Sequence, residues 1–483
     1  MSPSAWRREL MNRSRRKHEY SDAFSSYSDP EIAKMGARRS GDRITFTVQV
    51  CGAESVFLVG SFNAWSDAHP MEKISDDLWR TSLTVLDIKD GDPYKFKVRS
   101  EGAEIYVTDP YAVEYDGEPY YNSVYRDLRS GNVCPLAKNS GEHPFPLNIF
   151  SVSADDIYDT ERHTYKTQEL IPYMMQMGYT HLCISEIFEN YYDFLGSRTV
   201  QGSYAPRKGL GGIEGLQQAV REMHESGIGV LLDRGIYEMR HSEEDEVRFL
   251  FDNTKYWLEF YGFDGLAAAA FSDEAARTLS KVYGALKKEC DRILLIDGKR
   301  CGYDISGADV RLANYDSEMT ILGAMEGSSD KLQNAMLFMS YLAVSSGVGH
   351  AEAKICSDGV RYLEEFSDEN GNSAFELFLS DLNALYLANP CLWRENGERS
   401  VKRCENSIFA ECRDEDKAFI FVADVSGQGC EMRIPSYENL CVAIDPGSAR
   451  YGRQSRPPCK LSADTLSLSA YQSVILAGEM PTK

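Results

Sequence analysis

Between residues 147 and 297 the chain switches repeatedly between two hydrophobic rhythms, and no other feature restricts its fold as tightly. Short apolar runs at 147–152, 181–187, 228–233, 263–270 and 292–297 read as buried strands. Helical windows at 167–177, 215–226, 254–261 and 273–289 separate them. In 215–226, Leu216, Ala219, Val220 and Met223 recur at the spacing of one helix face. A strand followed by a helix, repeated, requires a parallel sheet, because parallel neighbours need a crossover. A (β/α)8 TIM barrel, complete or truncated, is the expected closure. Its later strands are weaker: 308–313 and 344–348 are candidates, and a seventh has no clean signal.

The flanks follow a different rule. Alternating or apolar segments at 44–50, 55–60, 79–85 and 94–98 are separated by turn residues such as Asn63, Asp76-Asp77 and Asp90-Gly91-Asp92-Pro93. That regularity predicts a β-sandwich. Beyond about 398 the helical windows stop, and 407–412, 418–425, 440–444 and 465–476 predict a terminal all-β domain. The expected division is a basic arm (1–42), an immunoglobulin-like β-sandwich (43–128), a linker (129–146), the barrel (147–398) and a C-terminal β-sandwich (399–483). Three folded units, with an arm and a linker, suit 483 residues, for which two to four domains are expected.

A net charge of −22 argues against nucleic acid as a partner, since phosphates demand a basic surface. No run of about 18 apolar residues predicts a membrane span. The charged start lacks the apolar core of a signal peptide, so a cytoplasmic location is expected. The 12 cysteines are scattered without a C-x-x-C pair, as buried free thiols of a reducing compartment would be. With no phosphate loop, nucleophile elbow or metal motif, neither cofactor nor metal is expected. Arg7, Arg8, Arg13, Arg15, Arg16 and Lys17 make the arm either a solvated tail or a docking segment for an acidic partner.

Particular motifs add to this pattern. The sandwich carries Val56-Phe57-Leu58-Val59-Gly60-Ser61-Phe62-Asn63-Ala64-Trp65, then His69-Pro70-Met71, Gly91-Asp92-Pro93-Tyr94-Lys95-Phe96-Lys97-Val98 and Asp109-Pro110-Tyr111-Ala112. The barrel carries Pro146-Leu147-Asn148-Ile149-Phe150-Ser151-Val152, Met177-Gly178-Tyr179-Thr180-His181-Leu182 and Gly202-Ser203-Tyr204-Ala205-Pro206. Leu382-Asn383-Ala384-Leu385-Tyr386 and Asn389-Pro390 follow. In this order they resemble a bacterial glycogen (1,4-α-glucan) branching enzyme of the α-amylase superfamily, from about residue 43 onward. The resemblance implies a glycogen-binding module, a barrel that performs retaining transglycosylation, and a β-tail.

The implied chemistry needs two carboxylates about 5–5.5 Å apart, one as nucleophile and one as acid/base. Phe263-Asp264-Gly265-Leu266 opens the fourth strand as in that family, but Ala267 stands for its Arg and Ala269 for its nucleophilic Asp. Ile296 falls at the acid/base position, with Asp297 one residue on. Asp233 survives in the third strand, but Arg234-Gly235-Ile236-Tyr237-Glu238 replaces the segment ending in a sugar-binding His. Near the seventh strand only Glu326 and Asp330 stand where a His-Asp pair is expected, and Gly196-Ser197-Arg198 replaces Trp-Gly-Tyr. The stretch from Asp233 to Asp264 is also short for the family.

A catalytically inactive protein of α-glucan metabolism is therefore expected, with a glucan-binding or scaffolding role beside another enzyme of glycogen metabolism. The alternatives are a weak or redirected transglycosidase using Asp297 with Asp233 or Glu238, and an interaction scaffold that binds no glucan. By resemblance, Trp65, Lys95 and Asn122 occupy glucan-contacting positions; a second stacking aromatic, due near Ala103-Glu104, is missing. Tyr106, Tyr111, Tyr115, Tyr120 and Tyr121 are candidates to replace it. Asp264 reads as a turn carboxylate, and His350, near Glu352, as a structural residue.

Overall fold

The computed structural model describes residues 35–117, 119–128, 146–192, 198–236, 243–289, 293–298, 303–311, 331–345, 349–352, 374–393, 398–404, 406–434, 437–451, 459–462 and 464–481. Two antiparallel sheets make up the N-terminal part. One has the order Gly36–Ser40, Arg43–Gln49, Leu78–Thr84, Glu72–Lys73; the other runs Ser55–Gly60, Pro93–Ser100, Ala103–Val107. Ser123–Val124 pairs with the start of Pro93–Ser100. Alternate residues point inward, so Ile44, Phe46 and Val48 meet Val56, Leu58, Phe96 and Val98 in one core with Trp79. The first strand falls within the segment expected to be an arm. Ser40 pairs with Arg43 across a turn whose Gly41 has φ +64°, a conformation glycine adopts without strain.

The central sheet has seven parallel strands: β1 (Asn148–Ser153), β2 (His181–Ser185), β3 (Gly229–Ile236), β4 (Gly265–Ala270), β5 (Leu294–Asp297), β6 (Val310–Arg311) and β7 (Gly349–Glu352). Their order is β6-β5-β4-β3-β2-β1-β7. Helices α1 (Thr167–Met177), α2 (Gly212–Glu225), α3 (Glu243–Phe260), α4 (Asp273–Glu289) and α5 (Lys331–Ser345) supply the crossovers. Among the described residues β6 and β7 are not paired and an eighth strand is not found, so the described strands form an arc of seven. The strand expected at 344–348 is displaced: Val344 and Ser345 end α5, and β7 begins at Gly349. An apolar helix and an apolar strand share one composition, and periodicity alone does not separate them.

Inside the arc, Leu147, Ile149, Cys183, Leu231, Ala267, Leu294 and Ile296 form one buried cluster. At its base a Cβ on Gly229 would lie 2.4 Å from the His181 ring, so only glycine leaves room for that side chain. Helix α6 (Ala374–Ala388) explains the Leu382–Tyr386 motif. The Asn383 side-chain amide donates to the Met177 carbonyl and the Tyr386 hydroxyl to the Leu147 carbonyl, each at 2.9 Å, fixing α1 and the entry to β1.

The C-terminal domain is a five-stranded sheet, in the order Glu398–Cys404, Ser407–Arg413, Lys417–Asp424, Ser473–Glu479, Glu438–Ile444. A three-stranded sheet of Cys430–Arg433, Thr465–Leu468 and Lys460–Ser462 covers one face. Its other face meets α5, where Tyr341 packs edge-on against Phe421.

The sandwich is wedged onto the barrel. The Tyr111 ring lies 5.4 Å from Tyr204 and 5.9 Å from Phe249, and Ala112 and Tyr115 bury Ala205. Around this apolar seam Arg126 pairs with Glu114 and, at 2.9 Å, with Glu214, while Lys208 meets Glu114 at 2.8 Å.

Candidate functional site

Chemistry has two places to occur: the C-terminal ends of the barrel strands, where barrels of this type hold their active sites, and the outer face of the sandwich.

Sheet register orders the barrel mouth into rows. Asp233 pairs with Ala267 and Ala267 with Ile296, forming one row. One row higher Gly235 pairs with Ala269, and the Gly298 amide donates to the Ala268 carbonyl at 2.7 Å. A Cβ on Gly298 would touch that of Ala269 at 3.6 Å. The β5 residue level with Ala269 is therefore Gly298, two positions beyond Ile296. Neither residue carries a carboxyl. Ala269 is 2% exposed, and all six residues of β4 are buried.

Asp233 follows Leu231 on the inner face and is half-buried. Asp297 follows Ile296 and so faces the helices instead. There it is fully buried and accepts the Ile305 amide at 2.9 Å, close to where Tyr283 donates to the Ile296 carbonyl at 2.7 Å. Asp233 and Asp297 thus lie on opposite faces of the sheet. Glu238, Glu326 and Asp330 lie outside the described residues, as does most of Gly196-Ser197-Arg198. For His350 and Glu352 only backbone pairing is described, with Ile149 and Ser151. Asp264 sits at the opposite end of the sheet. Its carboxylate takes the Val230 amide at 2.7 Å and the His224 ring at 2.9 Å, which is a structural role.

The sandwich surface is more elaborate. Trp65 sits on a turn whose Ala64 and Trp65 have φ +52° and +60°, a region bulky residues avoid. Asn63 holds that turn. Its Oδ1 accepts the Gly60 amide, and its Nδ2 donates to the Leu58 carbonyl, both at 3.0 Å. The Trp65 amide donates to the Gly60 carbonyl at 2.9 Å. Gly60 is required here by space: a Cβ would lie 2.5 Å from the Phe62 ring and from the Pro93 carbonyl.

Lys95 pairs with Val59 in the neighbouring strand and projects from the outer face, since Tyr94 and Phe96 point inward. Its ammonium donates to the Tyr120 carbonyl at 2.7 Å. Asn122 is only 8% exposed, and its side-chain amide donates to Asp116 at 2.6 Å. That bond ties Asn122 to Asp116 ahead of the Ser123–Val124 strand. The three residues singled out by sequence do gather at one end of one sheet.

Sequence reasoning missed the surroundings. Beyond Lys95 the outer face is closed by an ion network: Lys97 lies 2.9 Å from Asp67 and 3.0 Å from Glu104, and Arg99 pairs with both acids. Hydrogen bonds from Lys97, then Arg99, hold both carboxyls below their ordinary range. Arg99 lies 4.8 Å over the Phe57 ring and Lys97 5.9 Å over that of Tyr106. Of the five candidate tyrosines, Tyr115 is buried, Tyr111 sits in the wedge and Tyr121 is half-buried; Tyr106 and Tyr120 are 46% and 70% exposed.

Below this surface lies Asp109, fully buried. It takes the Tyr94 hydroxyl at 2.7 Å and the Tyr111 amide at 2.9 Å, and its own amide donates to Ser123 Oγ at 2.8 Å. Burial pushes its carboxyl up to about 6, although those bonds and the Arg38 charge act in the opposite direction.

These features define a class by fold: an N-terminal β-sandwich joined to a (β/α) unit whose described strands form a seven-stranded parallel sheet, followed by a β-domain. Residues 34–112 match the family described as carbohydrate-binding module 48 (isoamylase N-terminal domain). The fold is similar to that of the pullulanase of Anoxybacillus sp. LM18-11 complexed with maltotetraose, at TM-score 0.65 and 14% identity, covering 94% of this chain and 88% of that one. A putative α-amylase from Salmonella typhimurium matches at TM-score 0.64 and 12% identity, over 92% and 99%.

In sequence the chain is similar to 1,4-α-glucan branching enzymes. GlgB of Photobacterium profundum is 28% identical over 290 residues, 50% of this chain and 39% of that protein. GlgB of Lactobacillus acidophilus is 28% identical over 302 residues, 53% and 47% respectively. The chain thus spans less than half the length of these curated relatives. Among the described residues no helix is long and apolar enough to cross a membrane, and no cluster of three or more His, Cys, Asp or Glu could hold a metal ion.

Proposed function

We propose that this protein binds α-glucan through its N-terminal sandwich and does not rearrange glycosidic bonds, its barrel serving as a scaffold in glycogen metabolism. The observation that carries this reading is the row Gly235, Ala269, Gly298 at the barrel mouth. By the resemblance, Ala269 and Ile296 fall at the nucleophile and acid/base positions of a retaining mechanism, and no residue of this row supplies a carboxyl in their place. The opposite orientations of Asp233 and Asp297 remove support for a redirected enzyme that pairs them. The match of residues 34–112 to a carbohydrate-binding module supports the binding half, together with Trp65 held over a rigid turn beside Lys95. An active glycogen enzyme is the partner this reading implies, in the cytoplasm.

The test is native electrophoresis in gels with and without glycogen. The protein should be retarded by glycogen, and Trp65→Ala should lose about 1.5 kcal/mol of binding, roughly tenfold in affinity, with its stacking surface. Equal mobility in both gels overturns the binding half. Formation of α-1,6 branches in amylose on prolonged incubation, read by iodine staining, overturns the other.

A further inference from the structure

Two cysteines meet where the C-terminal domain grips helix α6. Cys412 stands on strand Ser407–Arg413 and points, with Ile408 and Ala410, into the large core shared with the barrel helices. Cys391 lies in the short 3-10 turn Pro390–Leu392 that follows α6. Their sulfurs are 3.9 Å apart; the Cys412 thiol donates to the Cys391 carbonyl at 3.0 Å, and the Cys391 thiol lies 3.5 Å from the Cys412 carbonyl. Each side chain therefore rests against the other's backbone. Both are free thiols, Cys391 1% and Cys412 0% exposed. The hydrogen bond between them holds the Cys412 thiol below its ordinary value, with the Arg399 charge helping against burial, and the same bond lifts Cys391. The first proton thus leaves Cys412 and the second stays on Cys391. The domain holds α6 at another point, where Asp381 takes the Arg450 guanidinium at 2.8 Å and the Tyr451 hydroxyl at 2.9 Å.

We propose that Cys391 and Cys412 are a redox-sensitive pair that closes to a disulfide under hydrogen peroxide and locks the C-terminal domain onto the barrel. The Cys412 thiolate attacks one peroxide oxygen; the O–O bond breaks, and the departing hydroxide becomes water with the proton that Cys412 released. The Cys391 sulfur then attacks the sulfenic acid so formed. The S–S bond forms as the S–O bond breaks, and the Cys391 proton leaves in a second water. Two thiols are oxidised and one peroxide is reduced. A dithiol reductant reverses the step by exchange, so in a reducing compartment the link is transient. The sulfurs need to approach by only about 2 Å to bond. Burial restricts the oxidant to one near the size of water, admitted by local opening. Because α6 fixes α1 and the entry to β1 through Asn383 and Tyr386, the link ties the C-terminal sheet to the start of the barrel. It is independent of glucan binding.

Treatment of the reduced full-length protein with hydrogen peroxide, then alkylation in denaturant and non-reducing peptide mapping, tests it. Peptides joined through Cys391 and Cys412, about 2 Da lighter than the two thiol peptides together, should appear and should vanish with dithiothreitol. Oxidation should raise the urea midpoint by about 1 M, since the link closes a short loop of chain. Cys412→Ser should show neither the joined peptides nor the shift, whereas Cys404→Ser, at an exposed thiol, should show both. Full alkylation of Cys391 and Cys412 at a peroxide level that has oxidised Cys404 overturns the proposal, as does a link from either to another cysteine. That measurement is made on the wild type, so it decides the matter even where Cys412→Ser fails to fold. Joined peptides with an unchanged urea midpoint overturn the lock.

Discussion

Replacing Asp109 by Asn should change how the sandwich responds to pH, and the size of the effect follows from its surroundings. The carboxyl is fully buried between Tyr94, Tyr111 and Ser123, and burial lifts it from the ordinary 3.8 to about 6. Between those two values the folded protein holds a proton that the unfolded chain releases, so stability falls as pH rises through the window. The penalty is complete above about pH 6 and absent below about pH 3.8, and the difference corresponds to about 3 kcal/mol. Asn has one acceptor oxygen for the Tyr111 amide and an Nδ2 that donates to the Tyr94 hydroxyl, the same pattern as the protonated carboxyl. Below pH 4 the variant should therefore be close to the wild type, and at pH 7 more stable by up to about 3 kcal/mol. Urea unfolding followed by tryptophan fluorescence, to which buried Trp79 contributes, measures the divergence; with a slope of roughly 1–3 kcal/mol per molar urea the variant's midpoint should lie above the wild type's by about 1 M or more at pH 7. A wild-type-minus-variant difference that stays constant within about 0.5 kcal/mol from pH 4 to 7 would refute the argument.

Two further substitutions probe features that hold the candidate site and the barrel in shape. Asn63→Ala removes the bonds that keep Ala64 and Trp65 at positive φ, and should cost about 1–3 kcal/mol of sandwich stability and weaken glucan retention even though Asn63 itself need not touch sugar; full retention in the glycogen gel would separate the turn from the site. Gly229→Ala places a methyl 2.4 Å from the ring of fully buried His181 and should cost about 1–3 kcal/mol in thermal or urea unfolding, so an unchanged midpoint would mean that the ring has somewhere to go.

Much of this architecture was legible because hydrophobic period is a local property. Helices Thr167–Met177 and Asp273–Glu289 have the bounds that periodicity gave them, and the sandwich strands lie where alternation put them. The misses have particular causes. Glu243–Glu246 opens α3 with acidic residues and no apolar stripe, so only its later turns were readable. Arg38 and Arg39 made a strand look like the end of a basic arm, although the Gly41 turn that returns the chain was present in the sequence. At the barrel mouth Ala269 could be read from the sequence, but the residue level with it, Gly298, could not, because register between neighbouring strands is set by packing. The five tyrosines were equivalent in sequence. Which are buried in the wedge and which face solvent depends on Tyr204, Phe249 and Ala205, residues far away along the chain.

The wedge between sandwich and barrel has a geometric corollary. With Tyr111 clamped between Tyr204 and Phe249, and Arg126 and Lys208 staking the rim, the described contacts pin the sandwich to the barrel at several points. Under the glucan-binding proposal, a polysaccharide strand gripped by that sheet would leave at a set bearing relative to the barrel's rim, as a pipe leaves a bolted flange. A second enzyme seated on that rim would then meet the strand always from one side, and its choice of bond would be made before any chemistry begins.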